Sequence, residues 1–282
     1  MFVNVCRVLL IIFAWLSVLR ESVAFAQVPR QLVSIEPGDL PIILTAPHGG
    51  REVIPNVPPR SGNGVRQFRY KSDDFTEQLT EKLADAIESE TGKRPYIVIA
   101  NFHRKYLDAN RRAAEAFESE QARVVYEKYH KAISDARREV TERWGCGVLF
   151  DIHGQAAEPQ AIFRGTQNGK TVKRLLKRSG DESWRGESSF FGQLAKQGVR
   201  VIPAIGSTEL EHSSYDGGFT VMQHGSAAGG TVDAIQLELG RQLRMPDKNA
   251  STAKKLAIAI TAFSAKYLPP TEQAIGDIDE RQ

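Results

Sequence analysis

The chain has 282 residues, of which 41% are hydrophobic and 25% charged, and its formal net charge is +3. Because positive and negative residues are interspersed, nucleic acid is not favoured as a partner. The length suffices for one large domain with a sizeable core, and no repeat, low-complexity segment or linker divides it.

The N-terminus has the pattern of a secretory signal peptide. Arg7 precedes an apolar run at residues 8–19, and Ala24-Phe25-Ala26 forms an A-x-A cleavage site. A membrane anchor is the alternative, but the run is shorter than the roughly 20 residues that cross a bilayer. We therefore predict a signal peptide over residues 1–26 and a single domain over 27–282. The mature protein is expected to be secreted or periplasmic, without a stable membrane anchor.

Cleavage would leave 256 residues with a net charge of +2, since Arg7, Arg20 and Glu21 are lost. Cys6 is lost too, so Cys146 would stand alone and no internal disulfide is expected. Cys146 is predicted to be buried at the entrance of a strand. The alternative role, a nucleophile, would need a histidine nearby and would give an activity that ignores chelators.

Alternating apolar patterns along the chain predict an α/β fold. Short β-branched runs predict strands at 32–35, 41–45, 96–100, 148–152, 199–205 and 234–239. Helical patterns lie at 74–90, 112–143, 188–197 and 251–267. Strands alternating with helices indicate a mostly parallel sheet covered on both sides, whose site residues gather at the carboxyl ends of the strands.

Three predicted strands end in residues suited to metal chemistry. The strands lead into His48, into Asp151 with His153, and into Glu238. Two imidazoles and a carboxylate suit a zinc ion that keeps one position for water, and a further carboxylate can take the proton of that water. A lone histidine after a strand is usually structural, but both histidines share one context, a strand end followed by glycine. His130 is expected on a solvated helix face.

A fourth segment, residues 101–112, follows the predicted strand at 96–100. Asp108 is placed to orient a metal-bound imidazole, while Asn110 and Arg111 are suited to bind a carboxylate. The alternative is a surface charge network at a helix start. The density of Asn, Asp and Arg next to Tyr106 favours a site.

Four segments together carry the pattern of a known family. They are His48-Gly-Gly, Asn101…Arg104…Asp108-Ala-Asn110-Arg111, Asp151-Ile-His153-Gly, and Asp216-Gly-Gly-Phe-Thr with Ile235-Gln-Leu-Glu238. Over residues 40–265 the chain thus resembles the N-formylglutamate amidohydrolase family. That family is similar in fold to the zinc carboxypeptidases, which implies a mixed, mostly parallel sheet sandwiched between helices.

The resemblance also implies roles for individual residues. Asp108-Ala-Asn110-Arg111 would hold the substrate carboxylate, with Arg112 beside it, and His153 would bind the metal. Glu238 matches the general base, and Tyr215 stands in the loop that helps close the site. Arg104 or Arg112, together with the metal, would stabilise the oxyanion. Asp108 and Asp151 would orient the ligating histidines.

The carboxylate ligand stays open at this point. Carboxypeptidases place a glutamate three residues after the first histidine, whereas Glu52 lies four after His48. The formylglutamate enzymes usually show no glutamate there. Glu52 is the first choice, with Asp73 and Asp74 as alternatives. Zn²⁺ is the predicted cofactor, although such sites accept other divalent ions.

The expected reaction is hydrolysis of an amide bond in an N-acylated acidic amino acid or at a peptide end, on a substrate with a free carboxylate. Alternatives are an exported metallo-carboxypeptidase, an amidase for poly-glutamate or cell-wall fragments, and an inactive relative that binds a carboxylate. A binding protein needs no base, so Glu238 beside both histidines favours an enzyme. The acyl group and the leaving amino acid stay open.

Overall fold

The structure is a computed structural model that describes residues 31–268. The predicted signal peptide and its cleavage site lie outside the described residues. Between residues 31 and 268, no helix has both the length and the apolar character needed to cross a membrane.

Seven strands form one mixed sheet in the order β1-β3-β2-β4-β7-β5-β6. The strands are β1 (Val33–Glu36), β2 (Ile42–Ala46), β3 (Tyr96–Ala100), β4 (Gly147–Gln155), β5 (Ala161–Gly165), β6 (Arg200–Ile202) and β7 (Val232–Gly240). The four central strands β3, β2, β4 and β7 run parallel, whereas β1 and β5 pair antiparallel with their neighbours. This arrangement confirms the predicted mixed, mostly parallel α/β sheet.

Helices cover both faces of the sheet. They are α1 (Thr76–Thr91), α2 (Ala113–Ala116), α3 (Glu120–Trp144), α4 (Lys173–Ser179), α5 (Glu182–Arg185), α6 (Phe190–Lys196), α7 (Phe219–His224) and α8 (Pro246–Tyr267). Side chains of β2 alternate between two cores, as successive strand residues point to opposite faces. Ile42 and Leu44 belong to the core that contains Leu83 of α1 and Ile260 of α8. Ile43 belongs to the core under α3.

Several elements differ from the sequence-based expectation for physical reasons. The predicted helix at 112–143 is divided into α2 and α3, because Phe117 between them has extended backbone (φ −148, ψ 159). The strand predicted at 199–205 is the shorter β6, and Pro203 follows it without a backbone N–H to donate. The sequence pattern does not indicate strand β5, because Arg164 interrupts its apolar run. Burial of that arginine is made possible by an ion pair with Glu211 at 2.8 Å.

Candidate metal and catalytic site

The carboxyl ends of three neighbouring parallel strands bring the predicted residues together. β2 pairs with β4, and β4 pairs with β7. His48 lies two residues beyond β2, while His153 near the end of β4 is in direct register with Glu238 of β7. At Gly50, an added Cβ would stand 2.1 Å from the carbonyl carbon of Asn101, so the chain after His48 needs a glycine to pass β3.

Two histidines and one aspartate form a group that could hold a metal ion. One ligand atom each from His48, Asp73 and His153 lies within 4.8 Å of the others. Asp73 Oδ2 is 3.4 Å from His48 Nδ1 and 3.2 Å from His153 Nδ1. The two histidine side chains are buried, and that of Asp73 is 12% exposed. The three donors therefore face one point at the carboxyl-terminal edge of the sheet.

Carboxylates behind the two imidazoles fix which nitrogen faces this point. Asp108 Oδ1 is 2.7 Å from His48 Nε2, and Asp151 Oδ2 is 2.9 Å from His153 Nε2. Asp151 is itself held by the Thr45 hydroxyl, which donates to Oδ1 over 2.6 Å. With each Nε2 directed to a carboxylate, Nδ1 of both rings is turned toward Asp73.

Asp73 reaches the histidines from the loop before α1. Its backbone N–H donates to the carbonyl of His48 over 3.0 Å, and its Oδ2 accepts the N–H of Gly154 over 3.1 Å. Glu52, the first choice from the sequence, is not a member of this metal-binding group in the described chain. Its backbone pairs with Phe102 alongside the end of β3. Of the carboxylates considered from the sequence, Asp73, one of the two alternatives, is the one that lies in this group.

Asp74, the second alternative, forms an exposed ion pair with Arg51. Phe75, the next residue, has a positive φ of 67° at the N-cap of α1. For a bulky side chain this backbone conformation is strained. The turn that delivers Asp73 is thus held in an unusual conformation between the strand end and the helix.

Buried charges at the site are balanced against each other. Burial alone disfavours the charged form of Asp73, but its interactions with His153 and His48 outweigh it and hold the pKa of the carboxyl well below its ordinary value. Burial likewise opposes the charge of Asp108, yet Arg104 and His48 keep its pKa well below the usual range. Burial opposes a charged His153 too, but Asp151 and Asp73 raise its pKa to about 10.

The donor set fits a divalent metal ion. His48 Nδ1 is buried and has no hydrogen-bond partner among residues 31–268, which is costly unless a ligand takes its lone pair. Two imidazole nitrogens with one carboxylate oxygen, each imidazole backed by a carboxylate, are ligands that suit zinc. Aspartates beside imidazoles also bind other divalent ions, so the donors indicate a metal site but do not determine which ion binds.

Glu238 stands beside this group as a candidate base. It is 8% exposed, and Gln236 Nε2 donates to its Oε1 over 2.9 Å. Burial raises the pKa of Glu238 to about 7, and the nearby carboxylates of Asp73 and Asp151 add to the effect. A carboxyl group with this pKa is suited to accept and return a proton near neutral pH.

Asn110 makes its contacts within the protein, and its predicted role in substrate binding stays a prediction. Its Nδ2 lies 3.2 Å from His153 Nε2 and 3.4 Å from Gln236 Oε1, and its Oδ1 accepts the N–H of Thr220 over 2.7 Å. The N–H of Gly218 also donates to Gln236 Oε1, over 2.7 Å. Asn110 and Gln236 therefore tie the N-terminal end of α7 to β7. Gln236 was not identified as a site residue from the sequence.

The predicted arginines take three separate positions. Arg104 is buried and donates to Asp108 Oδ2 through Nε at 2.9 Å and Nη2 at 2.8 Å, while its Nη1 is 3.9 Å from Asp73. Arg111 is half-buried, and its guanidinium donates to two backbone carbonyls, those of Asn110 at 2.9 Å and Gln67 at 3.3 Å. Arg112 is exposed.

Tyr215 packs against β5, the strand beside β7. Its ring is 4.7 Å from that of Phe163, the residue that pairs with Glu238 across β5 and β7. Burial raises the pKa of Tyr215, and the charge of Glu238 raises it further. The hydroxyl thus keeps its proton near neutral pH and is able to donate a hydrogen bond.

His130 corrects a prediction. It is half-buried between α3 and α7 rather than solvated, with Nε2 3.0 Å from the carbonyl of Ala109 and Nδ1 3.0 Å from His224 Nε2. Burial lowers its pKa to about 4. Because these contacts join residues far apart in sequence, no local pattern could have revealed them. Cys146 is half-buried just before β4, and burial raises the pKa of its thiol.

Comparison with known structures identifies the fold. No protein-family model matches the sequence, and no curated protein matches it. The chain is similar to the crystal structure of an N-formylglutamate amidohydrolase from Ralstonia eutropha, with 16% identity, a TM-score of 0.52 and coverage of 83% of this chain and 97% of that one. The fold expected from the resemblance to that family is thereby confirmed.

Two other solved structures resemble the chain. A gene product of Agrobacterium tumefaciens has 14% identity and a TM-score of 0.55, over 83% of this chain and 96% of that chain. A bacteriophage poly-gamma-glutamate hydrolase has 10% identity and a TM-score of 0.39, over 83% and 89% of the two chains. The last score is too low to support an inference about this chain.

Proposed function

We propose that this chain is a metal-dependent amidohydrolase. One observation carries the proposal: Nδ1 of two buried imidazoles converges with an aspartate, each opposite nitrogen contacts a carboxylate, and a buried glutamate stands in register beside them. This combination is that of a hydrolytic metal site with its own base. The similarity in fold to an N-formylglutamate amidohydrolase supports the same class of reaction.

In this proposal His48, Asp73 and His153 hold the ion, and Zn²⁺ suits their donor atoms. When bound, such an ion lowers the pKa of a water molecule and polarises a carbonyl group. Glu238 takes the proton of the attacking water and returns it to the nitrogen of the leaving amine. Since Oε1 already accepts the Gln236 amide, we assign the transfer of this proton to Oε2.

The remaining polar groups orient the metal ligands and bind the substrate. Asp108 and Asp151 fix the two imidazoles, and Arg104 holds Asp108 while its charge offsets the two aspartates around it. The Tyr215 hydroxyl, whose raised pKa keeps it well protonated near neutral pH, donates a hydrogen bond to the developing oxyanion. Asn110 acts mainly through Gln236 and Thr220, since its Nδ2 donates to Gln236 Oε1 and its Oδ1 accepts the N–H of Thr220.

The substrate in this proposal carries a free carboxylate next to the scissile amide. Arg111 is half-buried and uses two of its five N–H donors on backbone carbonyls, so donors remain for a carboxylate. An N-acylated acidic amino acid, as in N-formylglutamate, or a peptide end fits this description. Poly-glutamate and cell-wall peptides belong to the same chemical class.

Release assays on purified protein test the proposal. N-formyl-glutamate, other N-acyl amino acids, poly-glutamate and short peptides are offered with and without a chelator, and Zn²⁺ is then restored. Hydrolysis that stops with chelator and returns with metal is expected. Turnover that ignores the chelator would point instead to Cys146, and a Cys146→Ala variant provides the matched comparison.

A carboxylate-binding protein without turnover is the rival class. It would bind acyl-glutamate in calorimetry but release no product, and Glu238→Gln would leave that binding unchanged. Product release by the parent that is lost in Glu238→Gln, with binding retained, decides for the enzyme.

A further inference from the structure

Arg244 is a buried cation that the site described above does not use. It follows β7 by way of a 3₁₀ turn, Arg241–Leu243, and is 6% exposed. Its backbone is anchored, because its N–H donates to the carbonyl of Arg241 over 3.3 Å and that of Gln242 donates to Pro159 over 2.9 Å. A buried guanidinium is expensive unless its donors are satisfied, so its contacts are informative.

All hydrogen bonds of the Arg244 guanidinium within residues 31–268 are to backbone carbonyls. Nε donates to Leu239 over 3.3 Å, Nη2 donates to Gln155 over 3.4 Å, and Nη1 donates to Asp74. The first two carbonyls lie at the carboxyl ends of β7 and β4, where the ladder between the two strands stops. A rigid fork with donors on three nitrogens can reach three carbonyls that lie apart, whereas a lysine presents its three donors from a single nitrogen.

The three carbonyls belong to the segments that supply the chemistry. Asp74 follows Asp73, Leu239 follows Glu238, and Gln155 lies two residues after His153. Between His153 and Gln155, the backbone packs against the guanidinium so closely that a Cβ on Gly154 would be 2.5 Å from Arg244 Cζ. One side chain thus contacts the backbone of the loop that contains Asp73 and the ends of both strands.

We propose that Arg244 is a positioning residue, whose guanidinium fixes the backbone beside Asp73, His153 and Glu238 so that ligands and base keep one geometry. This inference rests on the proposed function. The hydrogen bonds of its guanidinium within residues 31–268 go to backbone carbonyls and to none of the ligand atoms, so it acts through the residues it holds. Its positive charge also faces Asp73 and Glu238, which together bring negative charge into the same buried region.

The test uses Arg244→Gln, with Arg241→Gln as the matched control. Arg241 lies in the same turn but is exposed, so its variant removes the same charge without touching the three carbonyls. We expect the Kd of the metal-free protein for Zn²⁺ to weaken about 10- to 100-fold in Arg244→Gln, the range for residues that support metal ligands. We also expect kcat to fall by a similar factor with little change in KM, and Arg241→Gln to match the parent in both.

Two further variants keep the test informative if Arg244→Gln fails to fold. Arg244→Lys retains the charge but not the fork, and should lose part of the same metal affinity and kcat. Gly154→Ala leaves Arg244 in the chain but displaces its guanidinium, and should shift both quantities in the same direction.

The outcomes separate this inference from the proposed function. A lower Tm in Arg244→Gln with parental Zn²⁺ affinity and parental kcat would make Arg244 a part of the scaffold only and overturn the inference, while the hydrolase proposal would stand. A parent that neither binds Zn²⁺ nor releases product would overturn both.

Discussion

His153 and Glu238 are directly paired residues on the parallel strands β4 and β7. Neighbouring strands lie about 4.8 Å apart, so the backbone itself fixes the separation of a candidate metal ligand from a candidate base. Both side chains are buried, and the pKa of Glu238 is raised to about 7 there. The sheet, rather than a mobile loop, therefore sets the geometry on which proton transfer would depend.

Glu238→Gln should lose nearly all turnover while the protein keeps its metal. Glutamine can still accept the Gln236 amide but cannot take a proton from water. We expect kcat to fall by roughly 10² to 10⁴, the usual contribution of a general base. Steady-state kinetics with metal analysis of the same sample measures both quantities. Turnover close to the parent would move the base elsewhere, and loss of metal would make Glu238 a ligand.

The same variant should be more stable than the parent at alkaline pH when metal is absent. Burial raises the folded-state pKa of Glu238 from 4.5 to about 7, so folding favours its neutral form. The stability from this preference is fully present below pH 4.5 and is lost as the pH rises through about 7. At pH 8, Glu238→Gln should gain on the order of 3 kcal/mol over the parent, at about 1.4 kcal/mol per pKa unit.

Urea unfolding with a chelator at pH 5, 6.5 and 8 measures this difference. The advantage of the variant should grow with pH across the series. A constant advantage would assign it to packing or hydrogen bonding rather than to the buried charge.

The proximity of the strand-end residues could be predicted, because a parallel sheet brings the carboxyl ends of its strands together whatever the conformation of the loops. An apolar run that clearly indicates a buried strand precedes or contains each of these residues, namely His48, His153 and Glu238. Asp73 could only be named as an alternative, because it comes from a long irregular stretch before α1 whose path the sequence does not fix. That path depends on the backbone bond from Asp73 to His48 and on the close approach at Gly50.

Other features depend on contacts between distant residues and left no local pattern. Arg164 lies in a strand because Glu211, 47 positions away, neutralises it. Arg244 contacts the loop that contains Asp73 through the carbonyl of Asp74, 170 positions away. Sequence spacing carries no information about either contact. From the sequence alone, a buried arginine is therefore interpreted as a surface residue.

Metal analysis of two matched variants tests which carboxylate binds the ion. Asp73→Asn should lose most of the bound Zn²⁺, because the amide no longer supplies the ion with a charged oxygen beside His48 and His153. Glu52→Gln should retain about one ion per chain, as expected for a single-ion hydrolase site. The reverse pattern would restore Glu52 as the ligand.

Export of the chain remains a prediction from its N-terminal pattern. Expression of the full sequence should yield a protein that starts at Gln27 outside the cytoplasm. N-terminal sequencing of the exported fraction measures the start. An intact Met1 in the membrane fraction would make residues 1–26 an anchor, and a variant with Ala24 and Ala26 both changed to Leu should block the cut if the site is correct.

Arg111 should set substrate choice through a free carboxylate. Its guanidinium is half-buried and already oriented by the carbonyls of Asn110 and Gln67, so a bound carboxylate would meet a fixed partner. Arg111→Ala should cost about 2 kcal/mol, roughly 30-fold in kcat/KM, on an acyl amino acid with a free carboxylate. Partial exposure places the cost at the lower end of the range for charge pairs. Arg111→Lys keeps the charge without the two-pronged geometry and should recover only part of the loss.

The comparison has two substrates, the acid and its amide, and two variants, Arg111→Ala and Arg112→Ala. Arg112 is the matched control, because it is the next residue but is exposed. Arg111→Ala should impair the acid and leave the amide nearly unchanged, while Arg112→Ala should affect neither. Equal losses on both substrates would mean that Arg111 supports the loop through Gln67 rather than the substrate. A selective loss in Arg112→Ala would transfer the carboxylate contact to that residue.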